Sequence, residues 1–224
     1  MRTKILLLFA IFFCVVLASN AQINTGRYLI GGSFNMYSAK YTQQPYPNSK
    51  NKSLNANIQF GKVVKENTVV GVILSYGCFN YYATNSRDSN FSKSNQYSAG
   101  VFYRKYKRLL KDFYFFGEVD AAYFHTENTQ GYFQNGNYGS RSISNGGSVS
   151  FIPGISYAVC KRMQLELLMP NIIGISYSHV KTDYTNAPPP SAPSQEGNVF
   201  SFNTNLNANF LSSFGIGFKF LLGK

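Results

Sequence analysis

Side chains able to do chemistry are scarce in this chain: two histidines, nine acidic residues and three cysteines stand against 21 basic residues. His125 opens the run His125-Thr126-Glu127-Asn128, and His179 follows Ser176 by three positions. Acyl-transfer catalysis needs a serine or thiol within hydrogen-bond reach of its base. On an extended strand, residues three apart point to opposite faces, which separates Ser176 from His179. Glu127, two positions after His125, is a carboxylate where an activated hydroxyl would be needed. Two histidines with scattered carboxylates make no metal-ligand cluster. The expectation is therefore no catalytic residue, no metal and no cofactor. Six charges remain that fall on the small-residue faces of alternating segments: Arg27, Arg104, Glu118, Asp120, Glu166 and Lys219. Three of each sign, turned into one interior, would pair with one another, because a buried charge without a partner is too costly to keep.

The elements that would carry these charges are legible from a period of two. From Val199 to Leu221, Phe202, Leu206, Phe210, Phe214, Ile216, Phe218 and Phe220 fall on even positions, and Asn203, Asn205, Asn207, Asn209, Gly215, Gly217 and Lys219 on odd ones. That pattern is a strand with one greasy and one polar face. Seven earlier segments alternate likewise: Arg27 to Tyr37, Ser53 to Val63, Thr68 to Tyr82, Asn95 to Tyr106, Phe113 to Thr126, Ser148 to Val159 and Met163 to Tyr177. Between them lie tight turns at Val64 to Asn67, Lys107 to Asp112 and Cys160 to Arg162. The other connections read as long polar loops, at Ala83 to Ser94, at Glu127 to Asn145 and around the proline-rich Ala187 to Pro193. Eight strands with alternately long and short connections predict an all-β fold, an eight-stranded antiparallel up-and-down transmembrane β-barrel. On that reading Phe210, Phe214, Ile216 and Phe218 face lipid.

The start of the chain is an address. Arg2 and Lys4 precede an apolar run from Ile5 to Leu17, and Ser19-Asn20-Ala21 ends it with small residues, the pattern of a signal peptide cleaved before Gln22. Residues 1–21 are thus the signal peptide and 22–224 a single domain. No second long apolar run follows, so any crossing of a membrane must be by strands in a closed barrel. The 17 tyrosines and 20 phenylalanines, without tryptophan, suit an interfacial girdle. A net charge of +12 spread along the chain, with no basic helix, points to a surface facing anionic lipid and away from nucleic acid. Cys78 falls toward the outer end of the third strand and Cys160 at a turn on the opposite side. A separation of roughly 25 Å between those ends makes both free thiols, since a disulfide tolerates only about 7 Å between Cα atoms.

Length, strand pattern, loop alternation, the run PGISYAVCKRMQLEL and the Phe-rich last strand resemble the small outer-membrane β-barrel family of Gram-negative type, related in shape to OmpX and the transmembrane part of OmpA. The resemblance covers Gln22 to Lys224. It implies a monomer in the cell outer membrane with both termini in the periplasm. Its partners would be outer-membrane lipids, lipopolysaccharide and the outer-membrane assembly machinery. Barrels of this size also include lipid A deacylases, whose His-x-Ser-Asn spacing is similar to the run at His125, with Glu127 replacing the serine. The function expected is non-enzymatic: a wall with a plugged polar lumen and environment-facing loops, serving membrane integrity, adhesion or surface interaction. The alternatives are a narrow pore for small solutes and a lipid-modifying enzyme. A soluble lipocalin-like barrel would require the two faces of every strand to be exchanged.

Overall fold

The computed structural model describes residues 23–42, 48–84, 89–134, 136–169, 172–185, 194–204 and 215–223, with backbone alone for 132–138. Residues 1–21, expected to be a signal peptide, lie outside the described residues, as do Phe210 and Phe214. Among the described residues there are ten antiparallel strands: β1 (Tyr28–Tyr41), β2 (Asn48–Lys65), β3 (Thr68–Thr84), β4 (Ser89–Arg108), β5 (Phe113–Gln134), β6 (Gly136–Cys160), β7 (Met163–Leu168), β8 (Ile173–Thr185), β9 (Ser194–Thr204) and β10 (Gly215–Leu222). Each of β1 to β6 pairs with the next, β6 pairs with β7, β7 with β10, and β10 with β1, so eight strands close into a ring. β8 pairs with β6 beyond β7, and β9 pairs with β8.

Ten strands replace the eight expected because two long segments divide. Met163 to Tyr177 becomes β7 and β8, both laid against β6. Gly154 pairs with Leu168 and Phe151 with Ile173, so four residues on one side oppose two on the other. Prolines stand at the break, Pro170 within the dividing segment itself and, on the neighbouring β6, Pro153. Its carbonyl accepts from the Met169 amide at 3.0 Å, which turns the proline's donor-less nitrogen toward the same neighbour, where the ladder cannot continue. The insertion is an even number of residues, so Leu167, Ile173 and Ile175 stay on one face. The last segment divides into β9 and β10, which are separated by residues 205–214.

The long loops expected at Ala83 to Ser94 and Glu127 to Asn145 are corrected in the same way. β3 and β4 stay paired to Thr84 and Ser89, and β5 and β6 to Gln134 and Gly136. These outer halves are rich in Asn, Ser, Gly and Thr on both faces, so ladder pairing holds them although alternation does not mark them. At the other end the connections are tight. The Glu66-Asn67 turn joins β2 to β3 with Asn67 at φ 58°, a single left-handed residue beside the register shift between Val63 and Lys65 and a conformation Asn tolerates.

Side chains at odd positions of β1, β2, β3 and β10 and at even positions of β4 to β7 point into the ring. At its tight-turn end the interior is apolar, packed with Ile23, Leu29, Val63, Val69, Tyr114 and Leu221. Ile23 precedes the first strand and is fully buried. Its carbonyl accepts from the Asn67 amide at 3.1 Å, so the segment before β1 folds under the ring and closes it.

Outside, the ring wears an apolar belt. Ile58 and Leu74 are 65% and 59% exposed, and Val72, Val101, Val149 and Ile175 are exposed beside them. The belt does not follow the cross-strand rows. One row runs Lys62, Val70, Tyr103, Val119, Phe151. On β2 the outward apolar run stops at Phe60, just above that row, whereas on β5 it continues past Val119 to Phe113. A higher row runs Phe34, Ala56, Tyr76, Tyr97, His125, Asn145, His179, Asn198. It is apolar or aromatic on β1 to β4 and polar from β5 onward. Both limits of the belt therefore shift the same way around the ring.

Candidate functional site

Directly above the apolar floor, four of the six charges singled out in the sequence meet. Arg104 on β4 is fully buried. It donates from Nε to Glu118 Oε2 at 2.6 Å and from Nη1 to Glu166 Oε1 at 2.7 Å, joining β5 and β7 across the ring. The same Nη1 donates to the Tyr106 hydroxyl at 3.0 Å, which donates onward to Glu166 Oε1 at 3.1 Å. From β10, Lys219 Nζ lies 3.8 Å from Glu166 Oε2 and donates to Gln59 Oε1. Gln59, on β2, ties the two cations together: its Oε1 also accepts from Arg104 Nη2 at 3.1 Å, and its Nε2 donates to Glu118 Oε1 at 2.8 Å.

The surroundings hold these groups in place. The Arg104 guanidinium lies over the Phe116 ring, 4.4 Å from its centroid, with Tyr106 at 5.7 Å and Phe102 at 5.9 Å, so the planar cation is stacked as well as forked. Glycines make the room. A Cβ on Gly154 would overlap Phe116, and one on Gly31 would overlap the stem of Lys219. These two positions need close approach, and only glycine supplies it there.

Asp120, one inward position above Glu118 on β5, is buried at the edge of the cluster, and its Oδ1 has no protein hydrogen-bond partner. Arg27 does not join. It precedes the first paired residue of β1, lies half-buried at the turn-side rim and donates from Nη1 to the Lys161 carbonyl at 3.3 Å. The interior set is thus two cations with three carboxyls, in place of three of each sign. Gln59 and Tyr106, which the reading by charge passes over, are readable from parity. Tyr106 is two residues beyond Arg104, and Gln59 lies on the polar face of its strand.

Above the cluster the ring encloses a cavity of about 540 Å³ lined by amides and hydroxyls, among them Ser33, Asn57, Ser75, Gln96 and Ser98. Below the cluster the interior is packed. Such an arrangement can bind water and polar groups from one end. The histidines lie on the outer surface. His125 Nδ1 is 2.7 Å from Asn145 Oδ1, and His179 Nδ1 is 3.2 Å from Asn198 Oδ1. Each histidine thus has an amide partner on the neighbouring strand. Ile216 and Phe218 are outward and exposed on β10. Cys78 on β3 and Cys160 at the end of β6 are free thiols. No protein-family model matches the chain, and no curated protein matches it.

Proposed function

We propose that the chain is a non-enzymatic integral protein of the cell outer membrane. It is an eight-stranded transmembrane β-barrel of the OmpX and OmpA transmembrane-domain type, monomeric, with a plugged lumen. The wall contacts outer-membrane lipid and lipopolysaccharide, and the long hairpins meet the environment, serving membrane integrity, adhesion or surface interaction. The observation that carries this reading is the inclined apolar belt. In a barrel the strands tilt by about 40°, so a layer of constant height must cross the cross-strand rows obliquely, as the belt does. On β5 the outward apolar run spans eleven residues, Phe113 to Tyr123. At about 3.4 Å per residue and that tilt its height is roughly 25 Å, matching the apolar band of about 25 Å of outer-membrane barrels. Burial of the charges inside and exposure of the aliphatic residues outside are the opposite of what a water-soluble ligand-carrying barrel requires.

The plug separates this reading from a pore. A conducting lumen needs a continuous water path, and the Arg104 layer, followed by Phe102, Phe116 and the floor around Ile23, leaves none for water to follow. The test is reconstitution of the mature chain into phosphatidylcholine vesicles and planar bilayers. The protein should float with the vesicles, resist protease along its belt and show no steady conductance. A chain that stays in the aqueous fraction refutes the membrane assignment. Reproducible ion-selective openings, altered by Glu118→Gln, refute the plug.

A further inference from the structure

Resting on the membrane reading just given, we propose that the outward face of β1 to β4, immediately beyond the apolar belt on the hairpin side, binds the phosphate groups of a membrane lipid through Lys40, Lys50, Lys52 and Lys93.

The ladder brings these four together. Lys40 is directly opposite Lys50, and Ser38, Lys52, Asn80 and Lys93 share the next row. All four lysines are exposed and lie on the outward face. Neighbouring strands are about 4.8 Å apart and successive outward positions about 6.8 Å apart, so the four lysines are rooted in a patch about 16 Å across, with Lys40, Lys50 and Lys52 grouped on β1 and β2. Like charges directly opposite on a sheet repel, and no carboxylate relieves them. The strand residues 35–41, 48–56, 76–84 and 89–97 contain no acidic side chain. The acids nearest the patch are engaged or distant: Glu127 pairs with Arg141 at 2.7 Å, Glu196 with Lys181 at 3.5 Å, and Asp183, which shares the row of Lys52 and Lys93, stands three strands beyond Lys93 with Arg141 as its neighbour. Among the described residues the cluster therefore lacks internal compensation, and an anion must supply it.

Position identifies which anion. Immediately below the lysines the outward face passes through Met36 and Leu54 into Phe34, Ile58 and Leu74, with the Tyr76 and Tyr97 rings tilted against each other at 5.1 Å between centroids. A molecule with phosphate at the lysines and acyl chains along this belt satisfies both surfaces at once, which free phosphate does not. Lysine, as a flexible point charge, suits phosphates whose placement varies with the lipid. The exposed Tyr82 shares the row of Lys40 and Lys50, a hydroxyl donor beside their ammonium groups.

The test uses the full mature chain and two charge-matched variants. One carries Lys40→Gln, Lys50→Gln, Lys52→Gln and Lys93→Gln. The other carries four changes at the turn-side rim: Lys62→Gln, Lys65→Gln, Lys105→Gln and Lys107→Gln. Binding of dioleoyl phosphatidate, with dioleoyl phosphatidylcholine as reference, is read by native mass spectrometry from zwitterionic micelles. At about 1 kcal/mol for each lysine near an anionic surface, the hairpin-side variant should lose phosphatidate affinity by tenfold or more, and the rim variant should keep it. Equal retention by both variants, or equal loss, overturns the site. Inorganic phosphate bound as tightly as phosphatidate overturns the lipid assignment. Flotation of all three proteins with phosphatidylcholine vesicles is scored separately, so failure of the membrane reading is distinguished from failure of the lysine site.

Discussion

Removing the Arg104 side chain is the sharpest perturbation of the interior. Arg104→Met keeps an unbranched chain of similar reach over Phe116 but deletes hydrogen bonds to Glu118, Glu166, Tyr106 and Gln59. Three carboxyls then face Lys219 alone. Desolvation of a buried ion is offset only by its partners, and removing one partner of a buried pair costs about 3 to 5 kcal/mol. We expect a loss in that range. Arg104→Lys should fall between variant and wild type, because an ammonium keeps the charge but cannot fork to β5 and β7 together. The double variant Arg104→Met with Glu118→Met removes one charge of each sign and should be more stable than the sum of the single losses by about 0.5 to 3 kcal/mol. Urea unfolding in phosphatidylcholine vesicles, followed by far-ultraviolet circular dichroism because the chain has no tryptophan, measures all of these. Arg104→Met within about 1 kcal/mol of wild type, or strict additivity in the double variant, would refute the argument that the cluster is desolvated and mutually dependent.

On the outer surface, Leu74→Arg places a cation in the middle of the belt and should cost about 2 to 4 kcal/mol in a bilayer; an unchanged unfolding curve in vesicles would mean that this face meets water. For the cysteines, thiol labelling of the denatured mature chain without reductant should modify both Cys78 and Cys160 when counted by intact mass, and absence of label would contradict the strand order.

The sequence by itself determined which way each strand faces. A period of two is a local property, so Leu54, Ile58 and Phe60 could be set on one side and Asn55, Asn57 and Gln59 on the other before any partner was known. The same parity put Arg104, Glu118, Asp120, Glu166 and Lys219 inward. Tertiary structure decided which of them touch. That depends on the register of six strands and on how the ring closes, and it left Arg27 at the rim while it brought in Gln59 and Tyr106. The extent of the hairpins was also settled only in three dimensions. Where both faces of a strand are polar, as from Glu127 to Gly131, alternation carries no signal and the backbone ladder alone maintains the element. At Pro153 the reverse holds. Alternation keeps one parity on both sides of the break in Met163 to Tyr177, with Leu165 and Leu167 before it and Ile173 and Ile175 after it, yet prolines in the segment and on its neighbour, Pro170 and Pro153, accompany its division into β7 and β8, because a strand's continuity belongs to the pair and not to one chain segment.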